Sequence, residues 1–212
     1  MGEPRPEARL AASELAITRA GRTIFSGIGF ALGAGELLQV LGANGSGKTS
    51  LLRVLGGLLA PSAGEVRWGG RRVRGGDDDF QRALAYVGHA NGVDPDLNAL
   101  ENLRFSACLA DGRTPDAHLR RVLDEAGLAA VMHLPARALS EGQRRRVALA
   151  RLALSPRALW LLDEPLTSLD AAAAGLFLAQ LGAHLRTGGM AVLATHQKLA
   201  AAALAGRELR LG

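Results

Sequence analysis

Two short stretches of this chain carry residue types that act on phosphate. The first, GANGSGKT from Gly42 to Thr49, fits the spacing G-x-x-x-x-G-K-[ST]. Gly42, Gly45 and Gly47 carry no Cβ, so backbone N–H groups can converge on phosphate oxygens. Lys48 supplies a compact cation for the outer phosphates, and Thr49 offers a hydroxyl to Mg²⁺. Of the 25 basic residues, 23 are Arg and only Lys48 and Lys198 are Lys, and one of those two falls in this slot. The second stretch, ALWLLDEP, ends an apolar run with Asp163 and Glu164. In a phosphate-loop enzyme a strand-end Asp holds Mg²⁺ directly or through water. The acid after it is placed to orient or deprotonate the attacking water. Two adjacent acids at a sheet edge are, by themselves, also ordinary surface charges.

Both stretches need elements that hold them. ELLQVL (Glu36–Leu41) is a short apolar run ending in a glycine-rich turn, which reads as a buried strand. SLLRVLGGLL follows with Leu51, Leu55 and Leu58 at helical spacing, and its N-terminus adds the positive end of a helix dipole to the loop. APSAGEVRWGG reads as a turn, a brief strand and another turn, and Leu84–Gly88 as a strand. From about Leu97 to Leu139 the character changes. NALENLRFSACLA and AHLRRVLDEAGLAAVM read as amphipathic helices joined by the polar link DGRTPD, together an inserted helical subdomain. SEGQRRRVALARLALS reads as a helix capped by Ser140. ALWLLDEP and MAVLATH are two further buried strands, with the helix AAAAGLFLAQLGAHLRTGG between them. This alternation predicts an α/β fold with a mostly parallel sheet covered on both faces. Arg144–Arg146 spread around their helix and read as a solvated surface with Arg–acid pairs, and RRVRGGDDD (Arg71–Asp79) as an exposed turn.

At 212 residues the chain makes one large domain, or a domain with an inserted subdomain. A single cysteine, Cys108, excludes an internal disulfide or a cysteine metal cluster and suits a reducing compartment. The net charge of +5 points to an anionic partner such as a nucleotide, a nucleic acid or a lipid surface. MGEPRPEARL at the N-terminus has no apolar core of signal-peptide length. No run approaches the roughly 18 apolar residues of a membrane span. The expectation is a soluble chain that docks on a membrane protein.

Further strings resemble one family. LSEGQ (Leu139–Gln143) resembles the LSGGQ signature of ABC-type ATPases, SLD (Ser168–Asp170) their D-loop, and ATHQ places His196 at their switch histidine. The motifs come in the family's order over nearly the whole chain. The resemblance implies a P-loop NTPase with a RecA-like, mostly parallel sheet, an antiparallel β edge and an inserted helical subdomain. It implies an ATP-binding core over 1–88 and about 145–212, with the Q-loop and helical signature subdomain over about 89–144. Nucleotide binding is expected from Gly42, Ala43, Asn44, Gly45, Ser46, Gly47, Lys48, Thr49 and Ser50, and from Ser140, Gly142, Gln143 and Asp170. Catalysis is expected from Glu164 and His196, with Thr49, Asp163 and His89 at Mg²⁺. A helix N-terminus at Ser140 and Gly142 attracts phosphate. The resemblance implies that this phosphate belongs to ATP on a second copy, so that two chains sandwich two ATP molecules head to tail.

Longer strings, among them GHANGVDPDLNALENLRF and LSEGQRRRVALARLALS, are similar to the ATP-binding subunits of the haem exporter complex of bacterial cytochrome c maturation. That similarity implies a motor on the cytoplasmic face of the inner membrane, bound to polytopic membrane subunits and driving release of haem-loaded chaperone. Neither direct haem binding nor nucleic-acid binding is expected. The alternatives are another ABC exporter, a soluble ABC-type ATPase acting on DNA or ribosomes, and a non-enzymatic nucleotide-gated subunit. Two departures stand out. Ala20 lies near the family's adenine-stacking aromatic, leaving Arg19, Arg22 or Phe25 for the base, and Glu141 replaces a signature residue. In YVGHANG (Tyr86–Gly92), His89 aligns with the Q-loop glutamine. Either it senses the γ-phosphate through Mg²⁺ and water, or it only shapes the loop.

Overall fold

Alternating burial along residues 10–32 makes a hairpin of β1 (Leu10–Arg19) and β2 (Arg22–Leu32), with Leu10, Ala12, Leu15 and Ile17 facing inward. Ala20 and Gly21 both have left-handed backbone (φ 47° and 75°), the two-residue connection that matches strand twist. These features come from a computed structural model that describes residues 9–110, 114–154, 156–196, 198–199 and 206–212. β3 (Leu37–Leu41) leads into α1 (Lys48–Leu55). β4 (Ala63–Trp68) then pairs with β1, and β5 (Arg71–Arg72) with β4, giving an antiparallel sheet of order β2-β1-β4-β5.

RRVRGGDDD is more than a turn. After β5, Asp77 accepts a hydrogen bond from the Phe80 N–H and caps α2 (Asp78–Ala83), which buries Phe80 completely. Asp78 and Asp79 lie in the first turn, where negative charge suits the helix dipole. β6 (Leu84–Val87), β7 (Leu159–Asp163), β8 (Met190–Thr195) and β9 (Arg207–Arg210) join β3 in a second sheet of order β6-β7-β8-β3-β9. The pairings of β3 with β8, β7 with β8 and β3 with β9 are parallel. Every residue of β3, β7 and β8 is buried, which is why these strands read as predominantly apolar runs, interrupted only by Gln39 and ended by Asp163 and Thr195. β9 was not foreseen: RELR has neither an apolar run nor a clean alternation.

Contacts divide the chain into two units, one containing Ala158–Glu164 with the segments up to Tyr86 and from Gly182, the other Val87–Arg157 and Pro165–Leu181. In the first, Leu38, Val40, Leu51, Leu52, Leu161 and Val192 share one core with the β1–β2 hairpin. The second is helical, with α3 (Ala99–Ala110), α4 (Asp116–Glu125), α5 (Glu141–Ala150) and the first part of α6 (Ala171–Arg186). Leu100, Leu103, Leu119, Leu123 and Val147 form its core. Asn98 and Glu101 cap α3 reciprocally, each side chain accepting the other's backbone N–H at 2.9 and 2.8 Å. Of the expected link DGRTPD, residues 111–113 lie outside the described residues.

α4 ends seven residues before Met132, where the expected helix ran on, because Gly127 (φ 68°) stops it and a 3-10 turn follows at Ala129–Val131. Arg144–Arg146 are likewise not a solvated face. Arg145 is 3% exposed, Arg144 donates to the Leu139 carbonyl, and Arg146 to the Ala126 and Gly127 carbonyls that close α4. The longest side chains at the start of α5 thus satisfy backbone acceptors that helix ends leave over.

In the first unit the His184 imidazole stacks on Trp160, with centroids 3.9 Å apart and planes 4° from parallel. Its Nε2 lies 3.1 Å from the Met190 carbonyl, which only accepts, so Nε2 carries the proton. A Cβ on Gly189 would fall 2.1 Å from the ring. Burial lowers the His184 pKa below 6.5, with the Met190 bond opposing. The unfolded chain therefore binds the proton more readily, and stability is lost as the pH falls below the unfolded value of about 6.5. His184→Phe, which keeps the stack, is expected to flatten the decline in urea midpoint between about pH 7 and pH 5.

Candidate functional site

The phosphate loop is built by close approach. A Cβ on Gly42 would lie 2.4 Å from Ser46 Oγ and 2.5 Å from the Leu211 carbonyl. On Gly47 (φ 98°), the residue that caps α1, it would lie 2.6 Å from Ile24 and 3.1 Å from the Phe25 ring. Phe25 is therefore buried as the floor of the loop, while Arg19 and Arg22 stay exposed at the hairpin turn. Ala43, Asn44 and Gly45 form the exposed lip, and Ser50 continues α1, half-buried. Ser46 Oγ is buried with no hydrogen-bond partner among the described residues, an orphaned donor inside the cradle.

Lys48 is 6% exposed, and its ammonium donates to the Gly42 carbonyl at 2.8 Å and the Ala43 carbonyl at 3.1 Å. It also lies 3.6 Å from Glu164 Oε1. Thr49 Oγ1 donates to Asp163 Oδ2 at 2.7 Å, so a hydroxyl and a buried carboxylate meet at the end of β7. These are hard oxygen donors of the kind Mg²⁺ takes, and Mg²⁺ needs only one or two from protein when a phosphate supplies others. Among the described residues no three His, Cys, Asp or Glu gather to hold a metal by themselves. The Glu164 backbone is left-handed (φ 48°), its N–H donates to the Ala194 carbonyl, and Oε2 lies 3.0 Å from His196 Nδ1. Lys48, Glu164 and His196 thus stand in one polar chain. Tyr86, which the motifs did not mark, has its phenol pKa raised by burial and then by the Asp163 charge, so it stays protonated.

The second unit groups another set. Ser140 caps α5 in a full capping box: its Oγ accepts from the Gln143 N–H at 3.2 Å, and its own N–H donates to Gln143 Oε1 at 2.8 Å. Gln143 therefore shapes the helix start. A Cβ on Gly142 would lie 2.4 Å from the Ser168 carbonyl. Ser168 is itself left-handed (φ 65°), and Asp170 Oδ1 caps the start of α6 through the Ala173 N–H. Glu141 is exposed in the first turn of α5, where an acid suits the dipole. A pocket of about 390 Å³ lies between Ser140–Gln143 and Ser168–Asp170. His89, also in this unit, is exposed on the loop after β6.

Comparison with known proteins agrees with this geometry. Residues 25–167 match the family described as ABC transporter. The chain is 64% identical over 203 residues to the cytochrome c biogenesis ATP-binding export protein CcmA of Cupriavidus necator, covering 95% of this chain and 87% of that one. An ATP-binding ABC transporter protein of Pyrococcus furiosus has the same fold, with a TM-score of 0.82 at 20% identity over 95% of this chain and 96% of that one. So does a dimeric ATP-binding cassette bound to ADP and Pi, with a TM-score of 0.78 at 24% identity over 89% of this chain and 88% of that one.

The Gly142 contact predicts a steric effect. Gly142→Ala forces a methyl against the Ser168 carbonyl and is expected to cost about 1–3 kcal/mol, read as a lowered urea midpoint. Gly175→Ala, with nothing within 4 Å of its Cβ, is the control and is expected to be neutral or slightly stabilising.

Proposed function

The chain belongs to the ABC transporter family, and from that premise we propose that it is the ATP-hydrolysing motor of a membrane export complex serving cytochrome c biogenesis. The observation that carries the chemistry is the polar chain Lys48–Glu164–His196 beside the Thr49–Asp163 pair. The haem exporter assignment, with release of haem-loaded chaperone, is supported by the 64% identical relative named for cytochrome c biogenesis. No described helix is long and apolar enough to cross a membrane. Attachment to the cytoplasmic face of the inner membrane through polytopic partner subunits is part of this proposal.

The residues divide the work as follows. The loop from Gly42 to Ser50 wraps the phosphates of ATP, with Ser46 Oγ as an unspent donor. Lys48 has three N–H donors; two are engaged by the loop's carbonyls, which aims the ammonium without freezing it. Thr49 and Asp163 would hold Mg²⁺, which supplies neutralisation of charge on the outer phosphates. Glu164 takes the proton of the attacking water. Its carboxylate is an acceptor, so His196 Nδ1 carries a proton. The γ-phosphate oxygens only accept too, so Nε2 would bind them as a second N–H donor, with the ring an imidazolium.

Ser140 and Gly142, at the start of α5, would meet the ATP of a second copy, and Asp170 would tie the two sites together. The pocket beside them supports that reading. We assign residues 1–88 and about 145–212 to the ATP-binding core and about 89–144 to the Q-loop and helical signature subdomain. The Gly88–Gly92 loop would meet the membrane partner, with His89 sensing the bound ion through water.

Glu164→Gln is expected to bind ATP normally, to slow hydrolysis about 10²–10⁴-fold and to accumulate an ATP-bound dimer on gel filtration. Hydrolysis at the wild-type rate would remove Glu164 as the base. Lys48→Ala is expected to lose ATP affinity itself. Copurification with polytopic membrane subunits supports the exporter, whereas retention on ribosomes or DNA at physiological salt would sink it.

A further inference from the structure

We infer that Arg145 is a positioning residue, a clamp through which α5 holds the loop bearing His89; the inference rests on the signalling role proposed for that loop. Arg145 projects from the second turn of α5 and is 3% exposed. A guanidinium has five N–H donors and accepts nothing, so burial obliges it to find oxygens. It finds them on two stretches far apart in sequence. Nη1 donates to the Gly88 carbonyl at 2.8 Å and to Asn91 Oδ1 at 3.1 Å, and Nε donates to the Pro165 carbonyl at 3.3 Å. Gly88 and Asn91 bracket His89, and Pro165 is the residue after Glu164.

A second arginine completes the hold. Arg151, at the end of α5, donates through Nη2 to the Asn91 carbonyl. A Cβ on Gly92 (φ 59°) would lie 3.5 Å from the same guanidinium. Asn91 is thus tied by its side chain to Arg145 and by its backbone to Arg151. Between these tacks only His89 and Ala90 stand exposed. The loop is bound to the helix whose first residues carry the Ser140 cap and Gly142, so a shift of α5 on engaging phosphate is passed to His89 and to the backbone after Glu164. Lysine does not replace such a residue, because one ammonium does not span acceptors that a planar fork reaches together.

The full chain, reconstituted with its membrane subunits, tests this with Arg145→Gln, Arg145→Lys and His89→Ala. In Arg145→Gln, amide exchange in peptides covering 88–92 is expected to rise about tenfold while that of the phosphate loop, 42–49, stays at the wild-type rate. The partner-stimulated kcat is expected to fall about 10–100-fold with KM for ATP unchanged. Its effect should not add to that of His89→Ala, since both act through one loop. Arg145→Lys is expected to recover only part of the loss, and it supplies the measurement if the Gln variant does not fold. Wild-type exchange at 88–92 in both variants overturns the clamp, and so does strict additivity with His89→Ala. Full activity in His89→Ala alone would instead overturn the loop's signalling role, with the exchange rates still deciding the clamp.

Discussion

A buried ammonium needs oxygens around it, and Lys48 draws its oxygens from three sources. The Gly42 and Ala43 carbonyls take two of its protons, and the Glu164 carboxylate lies 3.6 Å away. The loop must curl back on its own lysine to do this, which demands the left-handed turns at Gly45 and Gly47. It must also be anchored on both sides, by β3 before it and α1 after it. β7 must end where its acids face the lysine and Thr49. The parallel sheet, with β3 and β7 each paired to β8, is what fixes that separation.

The strain in the backbone follows the same logic. Glu164 and Ser168 are non-glycine residues with left-handed φ, a conformation that costs about 1 kcal/mol or more and persists only where the surroundings impose it. Glu164 is held by its N–H bond to Ala194 and by the two side chains that flank its carboxylate. Ser168 presents its carbonyl to Gly142 at a distance no Cβ tolerates. In each case the unusual conformation aims an oxygen: a carboxylate at the lysine and histidine, a carbonyl at the start of α5.

Much of this was legible in the sequence, for identifiable reasons. The strands β3, β7 and β8 are fully buried and therefore mostly apolar, with only Gln39, Asp163 and Thr195 polar, and Ser140 with Gln143 spells out a cap. What was hidden is polar and non-local. Asp77 looks like one of three surface acids until its oxygen meets the Phe80 N–H. Arg145 looks like a solvated base because sequence shows neither the Gly88 nor the Pro165 carbonyl beside it. The Phe25 ring lines the floor under Gly47, a close approach that the sequence does not show. Gly127 stops α4 inside an apolar pattern that runs on to Met132, so the periodicity alone overstates the helix.

The scarcity of lysine gives the chain an unusual chemical handle. Lys198 is exposed and ion-paired to Glu208 at 2.5 Å, whereas the Lys48 side chain is enclosed in its carbonyl cage. An acylating reagent that attacks free amines therefore meets one open lysine and one closed one. Arginine, which makes up the other 23 basic positions, is inert to it. The ratio of modification at the two lysines becomes a ruler internal to the folded chain, with Lys198 as its fixed mark and Lys48 reporting each opening of the loop.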